Sequence, residues 1–374
     1  MKLRQILPLL TLVPLLPAVA HEGHDTNAVN LVSTIAVVPE TKPPIHPKTK
    51  VAKSAALHLS GQGAWTFLAD TNLVPVPAAA QSFVKGAHGT IITDPDQDTV
   101  YWGLQGVGWI GFSNHLTVSW IVKGDPKLAE GNLHGADLIK RPKGQLPLVV
   151  AADNVKHRVF VSDTSFSNVQ VLGYPAATAK YKDANQFNPT DATWVDAGHF
   201  WVTDGYGQGW VSEGTTSPLE YTGAVFGGPN MSKTPHGVSY DAKAGELLVS
   251  ARPEGQVVHW NLRRQEVVKT HGLPGVENNG KKSVPTICDL ELWGDYALAP
   301  CLDGAGGTPG PIYVVNRKKW EIVSVVQPKT ELGFPLAQHI HDAALYAHGG
   351  RLWLIFTNWN PGGIGAAELV QVTE

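Results

Sequence analysis

One template repeats along this chain: a polar anchor residue, a short strand, an Asp/Asn/Gly turn, a second strand rich in Val, Trp, Phe and Tyr, another turn and a third strand. Six copies can be laid out. They begin at His88 (His88-Gly89-Thr90-Ile91-Ile92, turn at Asp94-Pro95-Asp96, then Val100-Tyr101-Trp102), Leu148, Thr190, His236, Cys288 and His341. The anchors are 60, 42, 46, 52 and 53 residues apart. Repeats of ~40 to 50 residues carrying several short strands are the signature of β-propeller blades.

The expected fold is therefore an all-β propeller. Six blades are read, and the long first interval, which holds Trp109, His115, Trp120 and His134, leaves room for a seventh. A last strand around Leu369-Val370-Gln371-Val372 is expected to close the ring against one near Ala64-Trp65-Thr66-Phe67, which would remove exposed sheet edges. A β-sandwich would use the same strands and turns, but it does not explain why His-Gly or His-Asp returns at one place in the template. Composition agrees: 39 Gly, 27 Pro and 12 Trp favour turns and strands over helices. With 29 Lys plus Arg against 32 Asp plus Glu, no basic excess exists to release counterions from phosphate, which argues against nucleic acid as a partner.

Residues 1–20 read as a secretory signal peptide: Lys2 and Arg4, an apolar run from Ile6 to Leu16, then Pro17-Ala18-Val19-Ala20. The run is shorter than the ~20 residues that span a bilayer. Residues 21–54, with Pro39, Pro43, Pro44 and Pro47 and no periodicity, read as a flexible, disordered, His-containing arm, and 55–374 as the propeller domain. The mature protein is expected in the periplasm or secreted, with no membrane anchor. Cleavage after Ala20 would place His21 at the amino terminus, where the terminal amine, His21 and His24 could chelate Cu(II) or Zn(II). The same segment also reads as a plain solvated tail.

In a propeller the first strand of each blade lines the central channel, so His88, His236 and His341 should converge although they lie far apart in sequence. Imidazole is the commonest metal ligand, and three histidines with one open position form a catalytic-type zinc site. The alternative is three structural histidines bonding neighbouring carbonyls. His339, two residues before His341, should project to the same side of an extended strand, as a fourth ligand or a channel-wall donor. His134, in Leu133-His134-Gly135-Ala136-Asp137, copies the His-Gly pattern outside the template.

The two cysteines, Cys288 and Cys301, flank a Gly294-Asp295 hairpin signal. A two-residue turn there puts 288 opposite 301, on the side shared by Leu290, Leu292, Ala297 and Ala299, so a disulfide is expected in an exported chain. Two buried thiols are the alternative.

Pro189-Thr190-Asp191, Phe200-Trp201-Val202-Thr203-Asp204-Gly205-Tyr206-Gly207, Pro235-His236-Gly237-Val238 and Ser250-Ala251-Arg252-Pro253-Glu254-Gly255 resemble NHL-type propellers. Among them the chain is most similar to the peptidyl-α-hydroxyglycine α-amidating lyase group. The resemblance implies six blades, a central zinc held by three histidines, a structural calcium, and Tyr and Arg at the channel mouth. It assigns His236 and His341 as zinc ligands, Tyr206 as general base, Arg252 as the group holding a substrate carboxylate, and Asp342 as a calcium ligand. Where the family has its first zinc ligand, in the second copy, this chain has Leu148, so His88 would substitute. Where the family has a Met before the last ligand, this chain has His339. The cysteine hairpin, followed by Asp303-Gly304, also resembles periplasmic zinc-chaperone propellers over that stretch alone.

Two functions follow: an exported metal-binding propeller that handles zinc or copper, working with a periplasmic metal-transport protein, or a zinc-dependent lyase acting on a small peptide-like substrate. A protein-interaction propeller is the third. Composition does not separate zinc from copper.

Overall fold

Asp, Asn and Gly turns cut the apolar runs so often that, among the described residues, no strand is longer than the ten residues of His339–His348. A computed structural model describes residues 36–373 apart from 55, 56, 279 and 280; residues 1–20, expected to be a signal peptide, and His21 and His24 lie outside them. The described residues are all-β, with helical geometry confined to short 3-10 turns.

Six antiparallel sheets form the blades. Blade 1 orders Ile91–Asp94, Thr99–Leu104, Gly108–Ser113 and Val118–Ile121 from the axis outward. Blade 2 orders Leu133–Ile139, Leu148–Asp153, Arg158–Asp163 and Gln170–Leu172. Blade 3 uses Asp191–Asp196, His199–Thr203, Trp210–Thr216 and Leu219–Gly227, and blade 4 uses Pro235–Asp241, Glu246–Ala251, Gln256–Asn261 and Glu266–Gly272. Blade 5 uses Glu291–Trp293, Tyr296–Pro300, Ile312–Asn316 and Glu321–Val326. The innermost strands contact one another in cyclic order, blade 6 returning to blade 1.

Blade 6 is sewn from both ends of the chain. His339–His348, Arg351–Trp359 and Gly363–Leu369 are followed outward by Trp65–Ala69 and Leu59–Gln62, with Leu369 opposite Phe67 and Glu368 opposite Leu68. The partner strand is the one expected from the sequence, but the closing strand ends at Leu369, and Gln371 and Val372, expected in it, pair with Lys50 and Val51 instead. The long first interval holds no seventh blade: it holds all four strands of blade 1 and the innermost strand of blade 2.

Alternation along each strand supplies the apolar layers between blades. Trp102, Ile110 and Phe112 of blade 1 pack on Tyr346, Trp353 and Ile355 of blade 6. Tyr101 and Trp109 meet Val149 and Phe160 of blade 2. Trp65 and Phe67, supplied by the amino-terminal strand, are fully buried among Leu298, Ile312 and Leu354.

The segment from 36 to 52, assigned above to the flexible arm, lies against the propeller instead. The Val38 amide donates to the Ile322 carbonyl at 2.9 Å. The Glu40 carboxylate accepts from the Tyr296 hydroxyl and the Asn316 amide, and Lys50–Ala52 pairs in parallel with Gln371–Thr373. Edge strands offer unpaired backbone groups, and this segment pairs with them although its own composition carries no strand signal.

Closure through Trp65 carries a stability test. Trp65→Ala should cost about 3–5 kcal/mol in urea unfolding. Leu336→Ala, at a side chain 56% exposed, should stay within about 0.5 kcal/mol of the parent. Equal effects would show that the amino-terminal strand does not lock the ring.

Candidate metal centre

Six residue pairs meet at the channel axis, one from the start of each blade: His88-Gly89, His134-Gly135, Thr190-Asp191, His236-Gly237, Cys288-Asp289 and His341-Asp342. The second anchor is therefore His134 and not Leu148. Leu148 opens the second strand of blade 2, opposite Ile139 and Asp163. With His134 in place the spacings become 46, 56, 46, 52 and 53 residues, more even than the first layout. Leu148–Asp153 has the look of a first strand because an eight-residue loop, 140–147, separates it from the innermost strand of blade 2.

Three histidines owe their aim to irregularities in the innermost strands. The register shifts between Leu133 and Gly135, between Pro235 and Val238, and between Ile340 and Asp342. A bulge inserts an extra residue and turns its side chain out of the alternating pattern. His134, His236 and His341 occupy those positions and reach the axis with His88. Ring centroids stand 5.0 Å apart for His88–His134, 4.9 Å for His134–His236, 5.1 Å for His236–His341 and 5.1 Å for His341–His88, with 4.5 Å across from His134 to His341.

Neighbouring blades orient two of these rings. His134 Nδ1 lies 2.7 Å from the Thr190 carbonyl of blade 3, and His236 Nδ1 lies 2.7 Å from the Cys288 carbonyl of blade 5. A carbonyl can only accept, so each Nδ1 carries the proton and each Nε2 keeps its lone pair. Both Nε2 atoms face the Tyr206 hydroxyl, at 3.2 and 2.9 Å. That hydroxyl has one proton and so satisfies only one of them. Arg252 donates to the same oxygen at 3.1 Å and lies over the Tyr206 ring. His341 is buried with neither ring nitrogen bonded, and His88 Nδ1 has only the Gly86 carbonyl at 3.4 Å.

Burial holds all four imidazoles below their ordinary range. His88 is lowered to about 4. His134, His236 and His341 are lowered well below the ordinary range by the same desolvation, reinforced by the charges of the other rings and of Arg252. The ring is neutral at physiological pH, with more lone pairs than protons to meet them.

Beneath it lies a layer of three glycines and three aspartates, in blade order Gly89, Gly135, Asp191, Gly237, Asp289 and Asp342. A Cβ on Gly135 would stand 2.3 Å from Asp191 Oδ1, and one on Gly237 would stand 2.4 Å from Asp289 Oδ1, so these glycines make room for the next carboxylate. Asp191 accepts the Val238 amide of blade 4 at 2.7 Å, and Asp342 accepts the Ile91 amide of blade 1 at 2.6 Å. Burial, then the charge of Asp289, holds Asp191 and Asp342 well above the usual carboxylate range. Asp289 is raised by burial and hydrogen-bonds both. Carboxylates bond one another only by keeping protons, so the trio is partly protonated. A void of about 10 Å³, the size of a water or a small ion, lies among these residues and the rings of His134, His236 and His341.

The remaining sequence candidates fall as follows. Tyr206 and Arg252 sit at the channel mouth against the histidine ring. Asp342 belongs to the acidic layer. His339 does not join the ring: the bulge at His341 breaks the two-residue alternation, and His339 Nδ1 pairs with Asp303 at 2.9 Å. Cys288 and Cys301 are both buried free thiols. Register explains this. The hairpin pairs Glu291 with Leu298 as expected, but one residue slips below it, so Cys301 faces Ile287. Cys288 turns toward the channel. Two donor sets result, each with its atoms within 4.8 Å of one another: His88, His134 and His341, and His236, Cys288 and His341. The sequence reading missed Cys288, Asp191 and Asp289 in this role. The recurring signal, an anchor followed by Asp as in His341-Asp342, was present in Thr190-Asp191 and Cys288-Asp289.

No protein-family model matches the chain, and no curated protein matches it in sequence. Solved structures do. The crystal structure of a nidogen/laminin complex is similar at 13% identity over 76% of this chain and 95% of that one, with a TM-score of 0.50, a likeness of fold alone. The structure of Saccharomyces cerevisiae Sqt1 is similar at 11% identity over 74% of this chain and 70% of that one, with a TM-score of 0.44.

The neutral ring sets a pH dependence. His88 takes its proton at about 4 in the folded state and at 6.5 as a free imidazole, so the unfolded chain protonates first as pH falls. Its contribution to stability is full above 6.5 and is lost between 6.5 and about 4. In chelator-treated protein, urea midpoints should fall across that window, and His88→Gln should make the fall shallower. An unchanged slope in the variant would place the proton uptake elsewhere.

Proposed function

We propose that the channel mouth binds a zinc or copper ion through His88, His134 and His341, with His236 as a fourth imidazole, in an exported propeller that holds metal and passes it on. The observation that carries this is the excess of buried lone pairs. Two Nε2 atoms share one phenolic proton, and His341 has no partner on either nitrogen. A cation satisfies such a set where hydrogen bonds do not. The carbonyl bonds to His134 and His236 are the outer-shell contacts that fix ligating imidazoles in orientation and tautomer. Four imidazoles drawn from four blades would close the coordination shell, which suits holding an ion better than exposing it. Asp191, Asp289 and Asp342 would take a calcium ion below, where oxygen ligands suit a hard cation. Export rests on residues 1–20, and the partner this implies is a periplasmic metal-transport protein.

Tyr206 and Arg252 favour a second reading. The amidating-lyase resemblance calls for its first ligand in the second blade, and His134 stands there; the departure read at Leu148 came from the misplaced anchor. With His134, His236 and His341 as the set, a bound ion supplies Lewis acidity toward a substrate oxygen. Arg252 would hold a substrate carboxylate, and Tyr206, polarised by Arg252, would take the hydroxyl proton of a carbinolamide as its carbon–nitrogen bond breaks. Burial raises the Tyr206 pKa, so its phenol starts protonated; it would give that proton to the departing amide nitrogen as it takes the hydroxyl proton, leaving an aldehyde and a primary amide.

Metal analysis of the purified protein should find one tightly held zinc or copper ion per chain. His134→Ala, His236→Ala or His341→Ala should each weaken binding greatly, while Tyr206→Phe keeps the stoichiometry. Loss of no metal in the triple substitution would sink the site. Turnover of an α-hydroxyglycine peptide that disappears in Tyr206→Phe would make the lyase the primary description.

A further inference from the structure

We propose that Cys288 is a metal ligand, and that its sulfur completes a second position, His236/Cys288/His341, which shares His341 with the all-imidazole position His88/His134/His341. The inference rests on the metal-binding reading above and extends it to the chemical class of the ion: a thiophilic one, Cu(I) or Zn(II), in preference to a hard cation.

Three observations carry it. The Cys288 sulfur and imidazole nitrogens of His236 and His341 lie within 4.8 Å of one another and all three residues are buried, so an ion among them needs little rearrangement. His341 has both nitrogens buried without a partner, which leaves it able to serve either position. The register slip sets Cys301 against Ile287 and frees Cys288 for the channel, and there Arg252 bonds Cys288 as well as Tyr206. The anchor of blade 5 thus occupies the same place as the histidines of blades 1, 2, 4 and 6. A nitrogen-rich set beside one containing sulfur gives an ion two neighbouring stations of different softness, joined by one shared ring.

Cobalt(II) distinguishes the two positions by colour. The metal-stripped full-length protein is titrated with cobalt under anaerobic conditions and its spectrum recorded. The expected result is visible ligand-field absorption together with a near-ultraviolet thiolate-to-cobalt charge-transfer band. That band should vanish in Cys288→Ser, persist in His88→Ala, and disappear with the ligand-field absorption in His341→Ala. In wild-type protein, where folding is not in question, zinc should protect Cys288 from alkylation. Ligand-field absorption with no charge-transfer band would overturn the role of Cys288 and leave the imidazole site standing. Failure to bind cobalt or zinc at all would overturn both. Mass spectrometry showing Cys288 linked to Cys301 in the isolated protein would also overturn it, since a disulfide sulfur is no longer a thiolate donor.

Discussion

Crowding at the axis governs this molecule. When six sheets close into a ring, six backbones come within side-chain reach of one line, and that line cannot hold six full side chains at every level. The chain resolves this by layers. At one level it places four imidazoles, a thiol and a threonine; at the next, three carboxylates and three glycines, two of the carboxylates filling the spaces left by Gly135 and Gly237. Gly135 and Gly237 are needed because Asp191 and Asp289 lie where their Cβ atoms would stand. The same packing makes the blades cooperative: the carboxylates of Asp191 and Asp342 accept backbone amides from the following blade, and the rings of His134 and His236 donate to the carbonyls of the following one. Assembly of the ring and orientation of the candidate ligands are one set of contacts.

The two layers respond to protons in opposite senses. Burial disfavours charge in both, so the imidazoles stay neutral by refusing protons and the aspartates by keeping them. A neutral ring over a partly protonated trio is a low-charge arrangement only while no cation is present. Cations at either level would let the aspartates ionise, so occupancy of the two levels is coupled through their charges.

Much of this was legible in the residues. The blade count came from anchor spacing, and the closing pair of strands from apolar runs at the two ends of the sequence. His88, His236 and His341 could be brought together because a propeller turns equal positions in a repeat into neighbours in space. What failed did so for local reasons. Leu148 passed for an anchor because a short Val-rich strand looks alike in first and second place. His339 was paired with His341 by strand alternation, which a bulge at His341 breaks. The cysteine hairpin was right down to Glu291 and Leu298 and wrong one step lower, where the ladder slips. Bulges leave no mark in composition or periodicity, and here they set the aim of three histidines. The pairing of residues 36–52 was equally invisible, because the partner edges belong to strands hundreds of residues away.

The stitching of blade 6 bears on the order in which the centre comes into being. His88, His134 and His236 leave the ribosome early, yet the blade that carries His341 is finished only when Gly363–Leu369 meets Trp65–Ala69. Until that seam forms, the earlier histidines have no fixed axis to point at and the ring that His341 completes has a gap. An ion met during synthesis would find three scattered imidazoles, whereas an ion met afterward would find an enclosed set. The seam would thus defer any capture of an ion until blade 6 has closed.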